Sequence, residues 1–145
     1  MVISFDLDDL LIPGTKKFDT ESQNLFQKIT GVEKIRKGTI ALFRELRERG
    51  HSIYIYTSSY RKQSSINFIF KSHGIPVDFA INRQIHNKEL KERKNISSKL
   101  PSAFGIDLHI DDSDGVAIEG ERFNFRIIII KEDDCNWIKS ILNKI

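Results

Sequence analysis

Val2-Ile3-Ser4-Phe5-Asp6-Leu7-Asp8-Asp9 opens the chain with a short apolar run that stops abruptly on carboxylates. The run Val2 to Phe5 reads as a buried first strand. Asp6 and Asp8 then fall just where that strand must end. The same grammar returns further along. Ser52 to Tyr56 is rich in β-branched and aromatic residues, as strands are, and it runs into Thr57-Ser58-Ser59. Ile106 to Ile110 reads as another strand, ending on Asp111-Asp112. Phe79 to Ile81 and Phe125 to Ile130 complete a set of five.

Between these strands lie helical patterns. Thr39 to Arg49 aligns Leu42, Phe43 and Leu46 on one face, with Gly50 as its stop. Ser58 or Ser59 can cap a helix in which Ile66, Ile69, Phe70 and His73 share a face, closed by Gly74. Arg83 to Ser98 is highly charged and helical at best in its middle. Asp134 to Lys144 aligns Ile138, Ile141 and Ile145. Strands alternating with helices predict an α/β fold, a doubly wound, mainly parallel five-stranded sheet spanning residues 1–145 as one domain. In such sheets ligands bind beyond the carboxyl ends of the strands. Three of the expected strands deliver polar residues to that edge.

Composition narrows the classes. Of the 145 residues, 39% are apolar and 30% charged, which is ordinary for a globular chain and too apolar for disorder. No apolar run exceeds the length of Ile127 to Ile130, so no membrane span is expected, and Asp6 and Asp8 arrive too early for a signal peptide. The single cysteine, Cys135, excludes an internal disulfide and fits a reducing cytoplasm. Lys and Arg number 23 against 20 Asp and Glu, a net charge of +3 that favours anionic partners without indicating nucleic acid. Positive charge crowds Lys88, Lys91, Arg93, Lys94 and Lys99, while acidic clusters stand at Asp6–Asp9 and Asp111–Asp114. Acidic clusters in a basic chain call for a bound cation.

Alone, Asp-x-Asp at a strand end caps a turn, Thr57-Ser58-Ser59 caps a helix, and Asp111 to Gly115 is a solvated turn. Together they assemble phosphoryl chemistry. Asp6 can attack phosphorus directly, and Asp8 can protonate the leaving oxygen and later deprotonate water. Two carboxylates facing a phosphate require a divalent cation, and Mg2+ suits such oxygen ligands, with Asp111-Asp112 completing the set. The Thr57 hydroxyl and the Ser58 N–H offer donors to phosphoryl oxygens, and a lysine of the basic stretch can neutralise the remaining charge.

Phe5-Asp6-Leu7-Asp8 resembles the first motif of the haloacid dehalogenase-like (HAD) superfamily. Ile53 to Ser58 is similar to its second motif, and Ile110-Asp111-Asp112-Ser113 to its fourth. The resemblance implies a Rossmann-like sheet and an aspartyl-phosphate intermediate on Asp6. It also implies Mg2+ held by the Asp6 carboxylate, the Asp8 carbonyl and Asp112, with Asp111 nearby. For the third-motif lysine, Lys99 is the first choice and Lys94 the alternative. Asp9 stands where the family often has Gly, and Leu10 where it has Thr or Val. The insert from Leu10 to Arg36, with a turn at Pro13-Gly14 and a short helix at Glu21 to Ile29, is too small for a full cap. The expected protein is a small capless phosphatase acting on a phosphorylated small molecule or macromolecule, with oligomerisation open.

Two other classes compete. A signalling receiver places its phosphorylated Asp after strand three, where this chain has Ile81-Asn82. A catalytically silent HAD-like binding protein would be expected to have lost Asp6, Asp8, Thr57 or Asp112. The remaining residues read as bland. His51, His73, His86 and His109 lack metal spacing, Cys135 and Trp137 read as packing, and Lys88 and Lys91 as a solvated face.

Overall fold

In the computed structural model, which describes residues 1–145, β1 (Val2–Phe5) lies in the middle of the sheet and is covered on both faces. It is joined by β2 (Ser52–Tyr56), β3 (Phe79–Ile81), β4 (Leu108–Asp111) and β5 (Ile127–Ile129) in the order β3-β2-β1-β4-β5. Every pair is parallel, so the fold is a Rossmann-like α/β sheet. Strand parity sorts the two layers. Ile3, Phe5, Ile53, Ile55, Leu108 and Ile110 enter the larger core. There Phe43 bridges Phe5 and Phe70, with ring centroids 4.9 and 5.7 Å away. The opposite layer holds Tyr56, Ile81 and Ile106, and it also buries two polar side chains, Ser4 and His109.

Six helices connect and cover the strands: α1 (Leu25–Thr30), α2 (Thr39–Glu48), α3 (Gln63–Ser72), α4 (Arg83–Leu90), α5 (Asp114–Phe123) and α6 (Trp137–Leu142). The chain begins at the sheet's centre, runs outward to β3, then returns to the far side of β1 as β4. That reversal opens a crevice between β1 and β4 at their carboxyl ends, the place where such sheets bind ligands. Phe5 is level with both Ile55 and Ile110, so Asp6 emerges beside Asp111.

Several boundaries differ from expectation. Ser58 and Ser59 do not cap α3. Instead the Ser59 N–H donates to Thr57 Oγ1 (3.1 Å), and this turn delays the helix to Gln63. The Arg83–Ser98 stretch is helical at its front, because Asn82 Oδ1 accepts the Ile85 N–H (2.9 Å) and caps α4. β4 starts at Leu108, since the Ile106 N–H still turns back to the Pro101 carbonyl (3.2 Å). β5 and α6 are shorter than their patterns, and Cys135 precedes α6 and is exposed rather than packed. α5 was not anticipated: Gly115 and Gly120 mask it in the sequence. Gly120 is needed for close approach, because a Cβ there would stand 2.9 Å from Ile127 Cγ2 on β5.

The 10–36 insert is no loose appendage. Leu10 and Leu11 are fully buried, and Arg36, at the insert's base, is buried between Phe18 and Trp137 at 4.7 and 5.0 Å from their rings. Its guanidinium donates to the Lys131 carbonyl (3.0 Å), which ties the insert to the segment after β5. A short helix does form here, at Leu25–Thr30 rather than from Glu21. Asn24 and Gln27 cap it reciprocally, each accepting the other's N–H at 2.9 Å.

Candidate active site

The β1 ladder continues one residue past the strand. The Asp6 N–H donates to the Ile110 carbonyl (2.8 Å), which fixes the Asp6 backbone at the mouth of the crevice. Asp111 closes β4, and its carboxylate is saturated. Oδ1 accepts the N–H groups of Asp112 (2.8 Å) and Ser113 (2.9 Å). Oδ2 accepts Lys99 Nζ (2.6 Å) and His109 Nε2 (3.0 Å). Four donors occupy its acceptor sites, so Asp111 is an anchor with no lone pair to spare. Burial would raise its pKa, but these donors, His109 first and then Lys99, hold it well below the carboxylate range.

Lys99 lies between Asp6 and Asp111, donating to both, and is 3% exposed. Burial opposes its charge, yet the two carboxylates outweigh burial and raise its pKa. Its loop is clamped from two sides. Glu119 of α5 accepts the Ser98 N–H and hydroxyl, both at 2.7 Å. The Leu100 N–H donates to the Tyr56 hydroxyl (3.0 Å), which donates to His86 Nδ1 (2.6 Å). His86 Nε2 in turn donates to the Lys94 carbonyl (3.1 Å). Because that carbonyl can only accept, the imidazole is the neutral Nε2–H tautomer, in keeping with a pKa lowered chiefly by burial. Lys94 itself is exposed, so of the two candidate lysines only Lys99 enters the site.

His109 belongs to the site as well, contrary to its bland reading. It donates to Asp111 and accepts from the Ser4 hydroxyl (2.7 Å). Burial pushes its pKa down to about 4, so it is a neutral donor that orients Asp111. Asp6 behaves oppositely. Its pKa is pushed up to about 7, first by burial, with Asp111 and Asp112 adding repulsion against the pull of Lys99. The crevice thus holds more negative charge than Lys99 neutralises.

Oxygen atoms of Asp6, Asp111 and Asp112 lie within 4.8 Å of one another. With Asp111 saturated, Asp6 Oδ2, Asp112 Oδ1, Asp8 Oδ2 and the Asp8 main-chain carbonyl accept no hydrogen bond. An all-oxygen set of this kind, in a crevice of excess negative charge, fits a hard divalent cation. Thr57 is buried at the end of β2, and Ser58 is exposed with an N–H that donates to no protein group.

Two cations escaped the sequence reading. Lys16 of the insert pairs with Asp112 Oδ2 at 2.5 Å. Arg61 donates to Asp8 Oδ1 (2.9 Å) and grips Glu33 through both terminal nitrogens (2.7 and 3.0 Å). Asn82 holds the Arg61 carbonyl (2.8 Å), so the loop after β2 is anchored at the end of β3. Neither Lys16 nor Arg61 belongs to a strand-end pattern, and nothing in the local sequence marks them. Lys88 is exposed, as a solvated face requires. No protein-family model matches this sequence, and no curated protein matches it significantly.

Proposed function

We propose that this chain is a Mg2+-dependent phosphohydrolase of the HAD type that forms an aspartyl-phosphate on Asp6. The observation that carries this reading is the buried Lys99 ammonium held between Asp6 and Asp111, where carboxylate oxygens of Asp6, Asp111 and Asp112 cluster. A purely structural acidic turn has no need of a buried lysine or of unpaired oxygens at a topological switch point. Mg2+ on the free oxygens of Asp6, Asp8 and Asp112 would neutralise the carboxylates and polarise the phosphoryl group.

The protein's own residues then divide the work. Asp6 attacks phosphorus as the bond to the leaving oxygen breaks, and Asp8 gives that oxygen its proton. Water next attacks the phosphorus, passing a proton to Asp8 and releasing inorganic phosphate and the Asp6 carboxylate. Thr57 and the free Ser58 N–H take phosphoryl oxygens, and Lys99 screens the charge that develops. Arg61 orients Asp8 between turnovers. With no cap over the crevice, a phosphorylated small molecule or a phosphorylated segment of a macromolecule can enter. A reducing cytoplasm suits the free, exposed Cys135.

Hydrolysis of a generic aryl phosphate tests the reading. Activity should require Mg2+, stop in excess chelator and not return with Ca2+, whose longer and more numerous bonds would misplace Asp6. Asp6→Asn should lose at least about a thousandfold in turnover. Full activity in chelator, or a variant within about tenfold of wild type, overturns it.

A further inference from the structure

Asp9, adjacent to the Asp6-x-Asp8 pair, spends its carboxylate on the insert. Oδ2 accepts the Thr15 hydroxyl (2.6 Å) and Oδ1 the Lys16 N–H (2.9 Å). The turn closes so tightly on it that a Cβ on Gly14 would stand 2.7 Å from Asp9 Oδ1. This turn delivers the Lys16 ammonium to Asp112, where it meets both the carboxylate (2.5 Å) and the main-chain carbonyl (3.1 Å). Its neighbour Lys17 turns back onto the Gly14 carbonyl instead (2.7 Å).

A cation on Asp112 Oδ1 and the Lys16 ammonium on Oδ2 would draw on one carboxylate and repel each other. An incoming phosphoryl group supplies the anion that Lys16 then lacks. We propose that Lys16 is a phosphate-binding residue of the insert, poised on Asp112 and passed to the phosphoryl oxygens when a cation shares that carboxylate. The inference rests on the cation reading of the site and adds to it a substrate contact from outside the sheet. The bond to the Asp112 carbonyl keeps the ammonium at the mouth of the crevice through the exchange, and at 31% exposure the side chain has room to move.

Calorimetric titration of the whole protein decides it, using Mg2+ alone and then inorganic phosphate in saturating Mg2+. Removing a partly exposed competitor should tighten Mg2+ binding by about threefold in Lys16→Met, while phosphate binding weakens by roughly fivefold. Lys16→Arg should keep wild-type values, and Lys17→Met, with the same loss of charge, should leave both constants nearly unchanged. Lys16→Gln serves if the Met variant folds poorly. Unchanged Mg2+ affinity in Lys16→Met, or unchanged phosphate affinity, overturns the proposal while wild-type Mg2+ binding stands. Failure of every protein to bind Mg2+ overturns it together with the cation reading.

Discussion

Asp6 shows what a buried carboxylate costs when its neighbours do not fully compensate it. Its pKa stands raised from 3.8 to about 7, through burial and through Asp111 and Asp112, despite Lys99. An acid whose folded pKa lies above its unfolded one stabilises the fold below the unfolded value. That contribution is lost as pH rises through about 7. In the absence of divalent cation, Asp6→Asn should therefore raise the melting temperature above that pH by several degrees, each kcal/mol being worth roughly 4 °C at this chain length. The gain should fade toward pH 3.8, where wild-type Asp6 is itself protonated. Thermal unfolding in chelator across pH checks this, and a variant less stable than wild type at high pH would contradict it. Loss of turnover with gain of stability is the signature of a functional carboxylate. Asp6 and Lys99 were legible because motif position and spacing place them. His109 was legible only as buried, since its partners Ser4 and Asp111 are brought to it by the β1–β4 pairing.

Among the elements, the loop between α4 and β4 carries the most consequence, because it must hold one ammonium in place on the irregular stretch between two short 3-10 turns, Lys91–Arg93 and Pro101–Phe104. Glu119 on one side and Tyr56 with His86 on the other supply the rigidity. Tyr56→Phe keeps the ring packing against Phe104 but leaves the buried Leu100 N–H and His86 Nδ1 without partners. The expected cost is about 1–3 kcal/mol in urea unfolding. Turnover should fall more than KM changes, since Lys99 is displaced while Thr57 and Ser58 are untouched. Unaltered stability and turnover would show that the loop holds itself. The strands and the helix at Thr39 could be read locally because each carries its own period. α5 could not, because its two glycines serve packing against β5 rather than helix propensity. The delayed start of α3 had a comparable cause, for Thr57 Oγ1 draws back the Ser59 N–H and holds Thr57 to Ser59 in a turn ahead of the helix.

For the molecule as a whole, the five-stranded parallel sheet and the acidic crevice at its switch point follow from alternation and strand-end chemistry, and both were open to reading. Lys16 and Arg61 were not, because they reach the crevice only after the insert and the β2–α3 loop have folded against Asp9, Glu33 and Asn82. The insert buries its own apolar residues and lends Lys16 to the rim of the crevice. The central claim is that phosphorus is transferred to Asp6 and then to water with the help of Asp8. An aryl phosphate has a leaving group that departs without protonation, so Asp8→Ala should still form the acyl-phosphate yet fail to activate water. The decisive measurement is an acid quench of Asp8→Ala with Mg2+ and aryl phosphate, followed by mass spectrometry of its peptides. The account predicts one phosphoryl group on the N-terminal peptide, located at Asp6 and absent from the Asp6→Asn, Asp8→Ala double variant. A phosphoryl group on another residue, or steady turnover with Asp6 never modified, would contradict it.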